Sequence, residues 1–245
     1  MCGRFTLTGK PHRLCEHFAL TAPPEELAAR YNIAPTQPVL VIPNRTHRVL
    51  RPARWGLVPQ WARDVSIGNK MINARAETLA SRAPFNAALE RRRCLIPADG
   101  FYEWKVEGER RRPFAVRPRA GGPIAFAGLW ETWTGPNGEE LETAAIVTTQ
   151  ANRALRPLHD RMPVVLAPEA YDMWLDCRAV DGEIAAALLA PAPDNFFDAY
   201  EISPAVNRVT NDSPELLVPA SELPPAPEPE KLVKPKRDDR QGSLF

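Results

Sequence analysis

The sequence predicts an α+β fold in which mainly antiparallel β-sheets form one compact domain with peripheral helices and a disordered C-terminal tail. Strand-like runs rich in β-branched and aromatic residues follow one another around Gly and Pro turns such as "TGPNGEE", a pattern typical of hairpins. Regular strand–helix–strand alternation and long-period repeats are both absent from the sequence, which argues against a parallel sheet and a solenoid.

The elements follow from local periodicity. Apolar residues at helical spacing behind Pro, Ser or Asp starters predict helices in "PHRLCEHFAL", "PPEELAARY", "APFNAALERRR", "EAYDMWLDC" and "GEIAAALLA". Between them we expect strands in "PVLVIP", "HRVLRPARWGLV", "RCLIPADGFYEW", "RPFAVRP", "PIAFAGLWETW", "ETAAIVTTQ" and "MPVVLAP".

Composition limits the function. A chain of 245 residues, 44% of them apolar, is long enough to form one domain with a hydrophobic core. Its 31 basic residues nearly balance 30 acidic ones, so a nucleic-acid partner would have to be held by a local patch rather than by net charge.

The cellular location is also constrained. Apolar runs fall short of the roughly 20 residues of a membrane helix, and the N-terminus lacks the pattern of a secretory signal. We therefore expect a cytoplasmic protein without a membrane partner. The cysteines Cys2, Cys15, Cys94 and Cys177 form no CxxC pair, so reduced thiols are expected.

The domain is expected to span residues 1–218. From Pro219 to Phe245 the chain is rich in Pro and charge and poor in large apolar residues, so it cannot repay the entropy of folding. We interpret residues 219–245 as the disordered tail.

The cysteine behind the initiator methionine raises a chemical question. A terminus is expected to be flexible and exposed, and it gives Cys2 no core to fill. Because a small second residue lets the methionine be removed, Cys2 would then carry a thiol and an α-amine on adjacent carbons. Such a 1,2-aminothiol condenses with aldehydes.

Three polar clusters lie in or beside the predicted strands. Asn73, Arg75 and Glu77 alternate in "MINARAET" and would share one face of an extended segment. Glu103 lies between two aromatic residues, and His159 precedes a strand-like run. Each also has a structural interpretation, as a turn former, a solvated strand residue and a strand-end cap, respectively.

Several blocks taken together resemble one family. "MCGRF", "YNIAPTQ", "RWGLVPQWA", "INARAET", "CLIPADGFYEWK", "AIVTTQAN" and "LHDRMPVVL" resemble, in order and spacing, the signature blocks of the SRAP (SOS response-associated peptidase-like) family. The resemblance spans about residues 1–218.

The resemblance implies a function and four catalytic residues. Members of the family crosslink abasic sites in single-stranded DNA through the cysteine after the initiator methionine, and Cys2 holds that position. The family's Asn, Glu and His match Asn73, Glu103 and His159. We expect Glu103 to shuttle protons during imine formation, His159 to assist opening of the sugar ring, and Asn73 to orient the terminus or the sugar.

The resemblance also implies a DNA surface, with no cofactor and no metal ion in a monomeric, nucleoid-associated protein. The residues expected to grip the backbone are Arg4, Arg75, Arg82 and Arg161, with Thr148 near a phosphate. Pro35 and Trp61 are expected to pack against flanking bases. Ala62 follows Trp61 where a second aromatic can occur in relatives, so the stacking surface is expected to be smaller here.

Two alternatives remain open at this point. An N-terminal-nucleophile peptidase would use the same Cys2 to attack amides rather than aldehydes. A structural zinc module would use Cys2, His12, Cys15 and His17, although the first gap is long for paired ligands.

The last five residues, "QGSLF", suggest a further partner. Gln241, Leu244 and Phe245 resemble the Q-x-x-L-F peptide by which bacterial DNA-repair proteins dock on the replication sliding clamp. Leu and Phe can fill an apolar pocket while Gln hydrogen-bonds at its rim.

Overall fold

The computed structural model describes residues 2–22 and 27–223. Its strands are β1 (Phe5–Leu7), β2 (Arg30–Ile33), β3 (Pro38–Pro43), β4 (Arg51–Trp55), β5 (Asn73–Arg75), β6 (Arg93–Ala98), β7 (Gly100–Glu107), β8 (Arg110–Pro118), β9 (Ile124–Thr134), β10 (Glu140–Gln150), β11 (Arg161–Pro163), β12 (Val165–Leu166) and β13 (Phe197–Glu201). Its α-helices are α1 (Pro11–Phe18), α2 (Phe85–Arg91), α3 (Tyr171–Leu175) and α4 (Gly182–Ala186).

The strands form two sheets. The first has five strands in the order β13-β8-β7-β1-β2. The second runs β11-β10-β4-β3-β6-β9-β12, and an additional β9–β10 pairing closes the ring β10-β4-β3-β6-β9. Most pairs are antiparallel, whereas β4 and β5 pair with β10 in parallel. The predicted α+β fold with mainly antiparallel sheets and peripheral helices is confirmed.

The main core lies between the two sheets. Phe5 of β1 contacts Trp55 and Phe126 edge to face, with ring centroids 5.2 and 5.8 Å apart. These aromatic contacts join the central part of the first sheet to β4 and β9 of the second. Residues at the start of β1 are therefore carried into the interior.

One predicted helix is wrong in its second half. The sequence predicts a helix in "PPEELAARY", yet Arg30–Ile33 forms β2, and residues 23–26 of this segment lie outside the described part of the chain. The side chain of Asn32 donates to the carbonyl oxygens of Val206, Arg208 and Asn211. These tertiary hydrogen bonds outweigh the local helical preference. The three-residue strand β1 is too short to show a period.

The domain continues beyond the predicted boundary at residue 218. Pro219 forms an isolated β-bridge with Ile202, and Ala220–Glu222 forms a 3₁₀ turn. These contacts place the first residues of the predicted tail with the domain, while residues 224–245, with the candidate clamp motif at Gln241, Leu244 and Phe245, lie outside the described structure. None of the described helices is long and apolar enough to cross a membrane.

Candidate active site around the buried N-terminal cysteine

Cys2 is fully buried, which corrects the expectation of an exposed terminus with no core to fill. Its exposed fraction is 0%, and it belongs to the main hydrophobic cluster. The reason is the position of β1, which lies between β7 and β2 in the first sheet. Burial is the largest effect on the thiol and raises the pKa of Cys2, with the charge of Glu103 adding to the rise.

Asn73 holds the backbone of Cys2. Its Nδ2 donates a hydrogen bond of 2.8 Å to the Cys2 carbonyl oxygen. The other amide atom, Oδ1, is buried and has no hydrogen-bond partner within residues 2–22 and 27–223. Because a buried acceptor left unpaired is unfavourable, Oδ1 is suited to receive an N–H or O–H donor from a bound molecule.

Glu103 lies beside the terminus through the register of β1 and β7. Phe5 pairs with Phe101, and the Tyr102 N–H donates to the Arg4 carbonyl oxygen, so the residues before Arg4 run alongside Glu103. Glu103 is 4% exposed. Burial raises the pKa of its carboxyl to about 7, and the nearby Asp160 charge contributes in the same direction. A carboxyl titrating near neutrality can both donate and accept a proton.

The imidazole of His159 is contacted by the next two residues along the chain. It lies in the loop between β10 and β11, and its Nδ1 accepts a 2.9 Å hydrogen bond from the Arg161 backbone N–H. Burial lowers the pKa of His159. The ring is therefore largely neutral at pH 7, and the 2.9 Å approach of Asp160 Oδ1 to Nδ1 becomes an ion pair when the ring is protonated.

Arg161 is tied to an acidic partner that the sequence analysis did not assign to the site. Its guanidinium donates to both carboxylate oxygens of Glu77, at 2.7 and 2.9 Å, and to the Thr148 carbonyl oxygen at 2.7 Å. The Arg161 side chain is only 10% exposed, and Thr148 is fully buried. Thr148 is therefore shielded from solvent and contacts the Arg161 guanidinium.

The other predicted DNA contacts differ in accessibility. Arg75 and Arg82 are exposed, Trp61 is 67% exposed, and Pro35 is half-buried in the β2–β3 turn. Arg4 is held internally, because its Nη1 donates to Asn32 Oδ1 and to the Val206 carbonyl oxygen at 2.8 Å each. The two exposed arginines thus offer positive charge to solvent, whereas Arg4 and Arg161 mainly brace the site.

β10 brings several of these residues to one edge. Asn73 pairs with Ile146, Arg75 with Thr148, and Arg161 with Gln150. The alternation of Asn73 and Arg75 in a strand is confirmed, whereas Glu77 lies in the 3₁₀ turn Ala76–Thr78 that follows β5. That turn aims Glu77 toward Arg161.

The zinc alternative finds no support in the geometry. Within the described residues, His, Cys, Asp and Glu side chains form no group of three or more able to hold a metal ion. His17 instead bonds the Tyr171 hydroxyl at 2.9 Å.

A buried cysteine at position 2, held by an asparagine and close to a carboxyl with a raised pKa, forms the candidate site of this protein. The sequence model described as SOS response associated peptidase (SRAP) matches residues 1–209. The chain belongs to this family, and the resemblance noted from its motifs is confirmed.

Similar proteins cover nearly the whole domain. The abasic site processing protein YoqW of Bacillus subtilis is 42% identical over 221 residues, covering 89% of this chain and 99% of YoqW. The abasic site processing protein YedK of Escherichia coli is 36% identical over 228 residues, covering 89% and 100%. A crystal structure of a Bacteroides thetaiotaomicron protein superposes with a TM-score of 0.81 at 25% identity, covering 89% of this chain and all of that one.

Proposed function

We propose that this protein recognises abasic sites in single-stranded DNA and, after removal of Met1, forms a covalent thiazolidine crosslink through Cys2. The observation that carries the proposal is the hydrogen bond from Asn73 Nδ2 to the Cys2 carbonyl oxygen, which fixes the terminus beside the raised-pKa carboxyl of Glu103. The names of YoqW and YedK support the same substrate.

The raised pKa of the thiol sets the order of the steps. Because burial disfavours the thiolate of Cys2, the α-amine is the better first nucleophile, with a pKa near 8 in ordinary termini. The nitrogen adds to the aldehyde carbon of the ring-opened sugar, and water leaves to give an imine. The sulfur then adds to the imine carbon, its proton passes to nitrogen, and the five-membered ring closes.

Glu103 and His159 have complementary proton-transfer roles in this scheme. A carboxyl with a pKa of about 7 is partly protonated at neutral pH, so Glu103 can protonate the hydroxyl that leaves as water. The neutral His159 can accept a proton from the sugar hydroxyl as the ring opens, or return it during reversal.

The direct test uses the purified, methionine-trimmed protein and single-stranded DNA with one abasic site. We expect a heat-stable adduct on a denaturing gel whose mass equals protein plus DNA minus one water. The matched control is DNA with a tetrahydrofuran analogue, which has no aldehyde. The absence of an adduct with the aldehyde substrate would contradict the proposal.

The peptidase alternative calls for different electrostatics. A thiol that attacks amides is activated by a lowered pKa, whereas burial raises the pKa of Cys2. Peptide and ester substrates incubated in parallel with the abasic DNA distinguish the two functions. We expect the protein to hydrolyse neither the amide nor the ester bond.

Arg75→Ala is expected to weaken binding of single-stranded DNA about 5-fold and to reduce the salt dependence of the affinity by roughly one phosphate contact. The reason is that Arg75 is exposed, whereas Arg161 is already neutralised by Glu77. Affinity for the tetrahydrofuran analogue, measured by fluorescence anisotropy at several salt concentrations, checks this. Arg178→Ala, which removes an exposed arginine after α3, is the control, and an unchanged salt slope in Arg75→Ala would exclude a phosphate contact.

The C-terminal motif is proposed to bring the protein to replication forks. Gln241, Leu244 and Phe245 lie outside the described residues, so this step rests on the sequence alone. Calorimetry should show that a peptide of residues 231–245 binds the bacterial sliding clamp, and that a Leu244→Ala, Phe245→Ala version binds at least 10-fold more weakly. Equal binding of the two peptides, or no binding by either, would rule out the motif.

A further inference from the structure

Trp61 has an exposed side chain, but it lies in a loop whose neighbouring residues are buried. Its side chain is 67% exposed, whereas Val58 and Ala62 of the same loop are 0% and 8% exposed. Val58 and Ala62 form with Trp133 a hydrophobic cluster separate from the main core, and Val65, Ile67 and Leu141 pack against it. The loop that carries Trp61 therefore has a small core of its own.

Hydrogen bonds pin this loop on both sides of Trp61. Behind Trp61, the Trp133 Nε1–H donates to the Ala62 carbonyl oxygen at 2.8 Å. Ahead of it, the Val58 N–H donates to Thr143 Oγ1 at 3.0 Å. Both anchoring side chains come from the β9–β10 hairpin, in which Trp133 pairs with Leu141 and Thr143 with Glu131.

The arrangement holds the backbone that presents the apolar ring of Trp61 to solvent. A stacking side chain on a mobile loop loses conformational freedom when it binds, and that loss opposes binding. In a loop anchored at Val58 and Ala62, the backbone part of that freedom is lost already on folding. Ala62 is part of this anchor, because its small side chain is buried in the cluster with Trp133.

We propose that Trp133 is a positioning residue for Trp61, acting through the Ala62 carbonyl and the loop cluster. The inference rests on the proposed function and on the expectation from the family resemblance that Trp61 packs against a base flanking the abasic site. Trp133 is 5% exposed, so its effect on DNA is transmitted by the loop rather than by contact.

Trp133→Phe tests the inference, because it removes the indole N–H while keeping an aromatic ring. Trp130→Phe is the matched control: Trp130 lies on the same strand, is 9% exposed and donates its Nε1–H to Asn44 Oδ1 at 2.8 Å, away from the loop. The probe is a single-stranded oligonucleotide with a tetrahydrofuran abasic analogue and a neighbouring 2-aminopurine, whose fluorescence reports unstacking.

A double-mutant cycle separates positioning from general destabilisation. We expect Trp61→Ala to weaken binding about 10-fold, in line with the loss of one stacked base, and Trp133→Phe about 3-fold to 5-fold, in line with the loss of one hydrogen bond. In the Trp61→Ala background, Trp133→Phe should have no further effect. Hydrogen exchange of residues 57–64 in the free protein should rise in Trp133→Phe and stay unchanged in Trp130→Phe.

The possible failures are distinguishable. Additive effects in the cycle, or unchanged exchange of residues 57–64, would overturn the role of Trp133 while leaving crosslinking untouched. If the wild-type protein forms no adduct with aldehyde-bearing DNA, the proposed function fails, and the exchange measurement still decides whether Trp133 holds the loop.

Discussion

Cys2→Ala is expected to abolish the heat-stable adduct with abasic DNA, a loss of at least 100-fold in yield. The variant keeps the α-amine, so it can still form an imine, but no thiol remains to close the ring, and imines hydrolyse. Denaturing gels before and after borohydride reduction check this. Reduction should trap the transient imine of Cys2→Ala, which would show that the amine acts first.

Two controls frame this result. Cys15→Ala removes a half-buried thiol on α1 and should crosslink at the wild-type level. An N-terminal extension that prevents removal of Met1 should be as damaging as Cys2→Ala, because the α-amine is then absent from Cys2. A stable adduct of normal yield from Cys2→Ala would overturn the thiazolidine mechanism.

The sequence indicated the family and the residues of the site, but not how the site is held. Asn73, Glu103 and His159 come from three separate blocks, and only the β10 pairings with β5 and β11 bring two of these segments to one edge. The burial of Cys2 was missed, because local composition near a terminus says nothing about a strand inserted between β7 and β2.

The arginines show the same limit of local reasoning. Arg4 and Arg161 look like Arg75 in the sequence, yet Asn32 and Glu77 bind their guanidinium groups. These partners lie 28 and 84 residues away along the chain, beyond any local pattern. Whether a basic residue is available to a phosphate is decided by its tertiary partners.

The buried carboxylate of Glu103 is expected to lower the free energy of unfolding above neutral pH. Burial raises the pKa of its carboxyl from an ordinary 4.5 to about 7, so between these pH values the folded state binds a proton that the unfolded state does not. Stability is therefore lost as the pH rises through this window. At pH 8 the buried charge destabilises the fold by roughly 3 kcal/mol, taking about 1.4 kcal/mol per pKa unit.

Glu103→Gln is accordingly expected to stabilise the protein while slowing its chemistry. The gain in unfolding free energy should be near zero at pH 4 and largest above pH 7, as measured by denaturant titration. Glu107→Gln on the same strand, where Lys105 and Arg112 lower the pKa of the carboxyl, should show no such gain. An equal gain for Glu103→Gln at all pH values would mean that the carboxyl does not titrate in this window.

The kinetic half of the prediction has the same physical origin. In the wild type, the crosslinking rate should rise with pH as the α-amine loses its proton and fall once Glu103 ionises above about pH 7, which gives a bell-shaped profile. Glu103→Gln cannot donate that proton, so the rate should drop roughly 100-fold or more, and the descending limb should vanish.

Affinity for the tetrahydrofuran analogue should stay within about 2-fold, because glutamine keeps the shape of the site. A wild-type rate across the whole pH range in Glu103→Gln would exclude Glu103 as the proton donor, since no other change in the site accompanies the substitution.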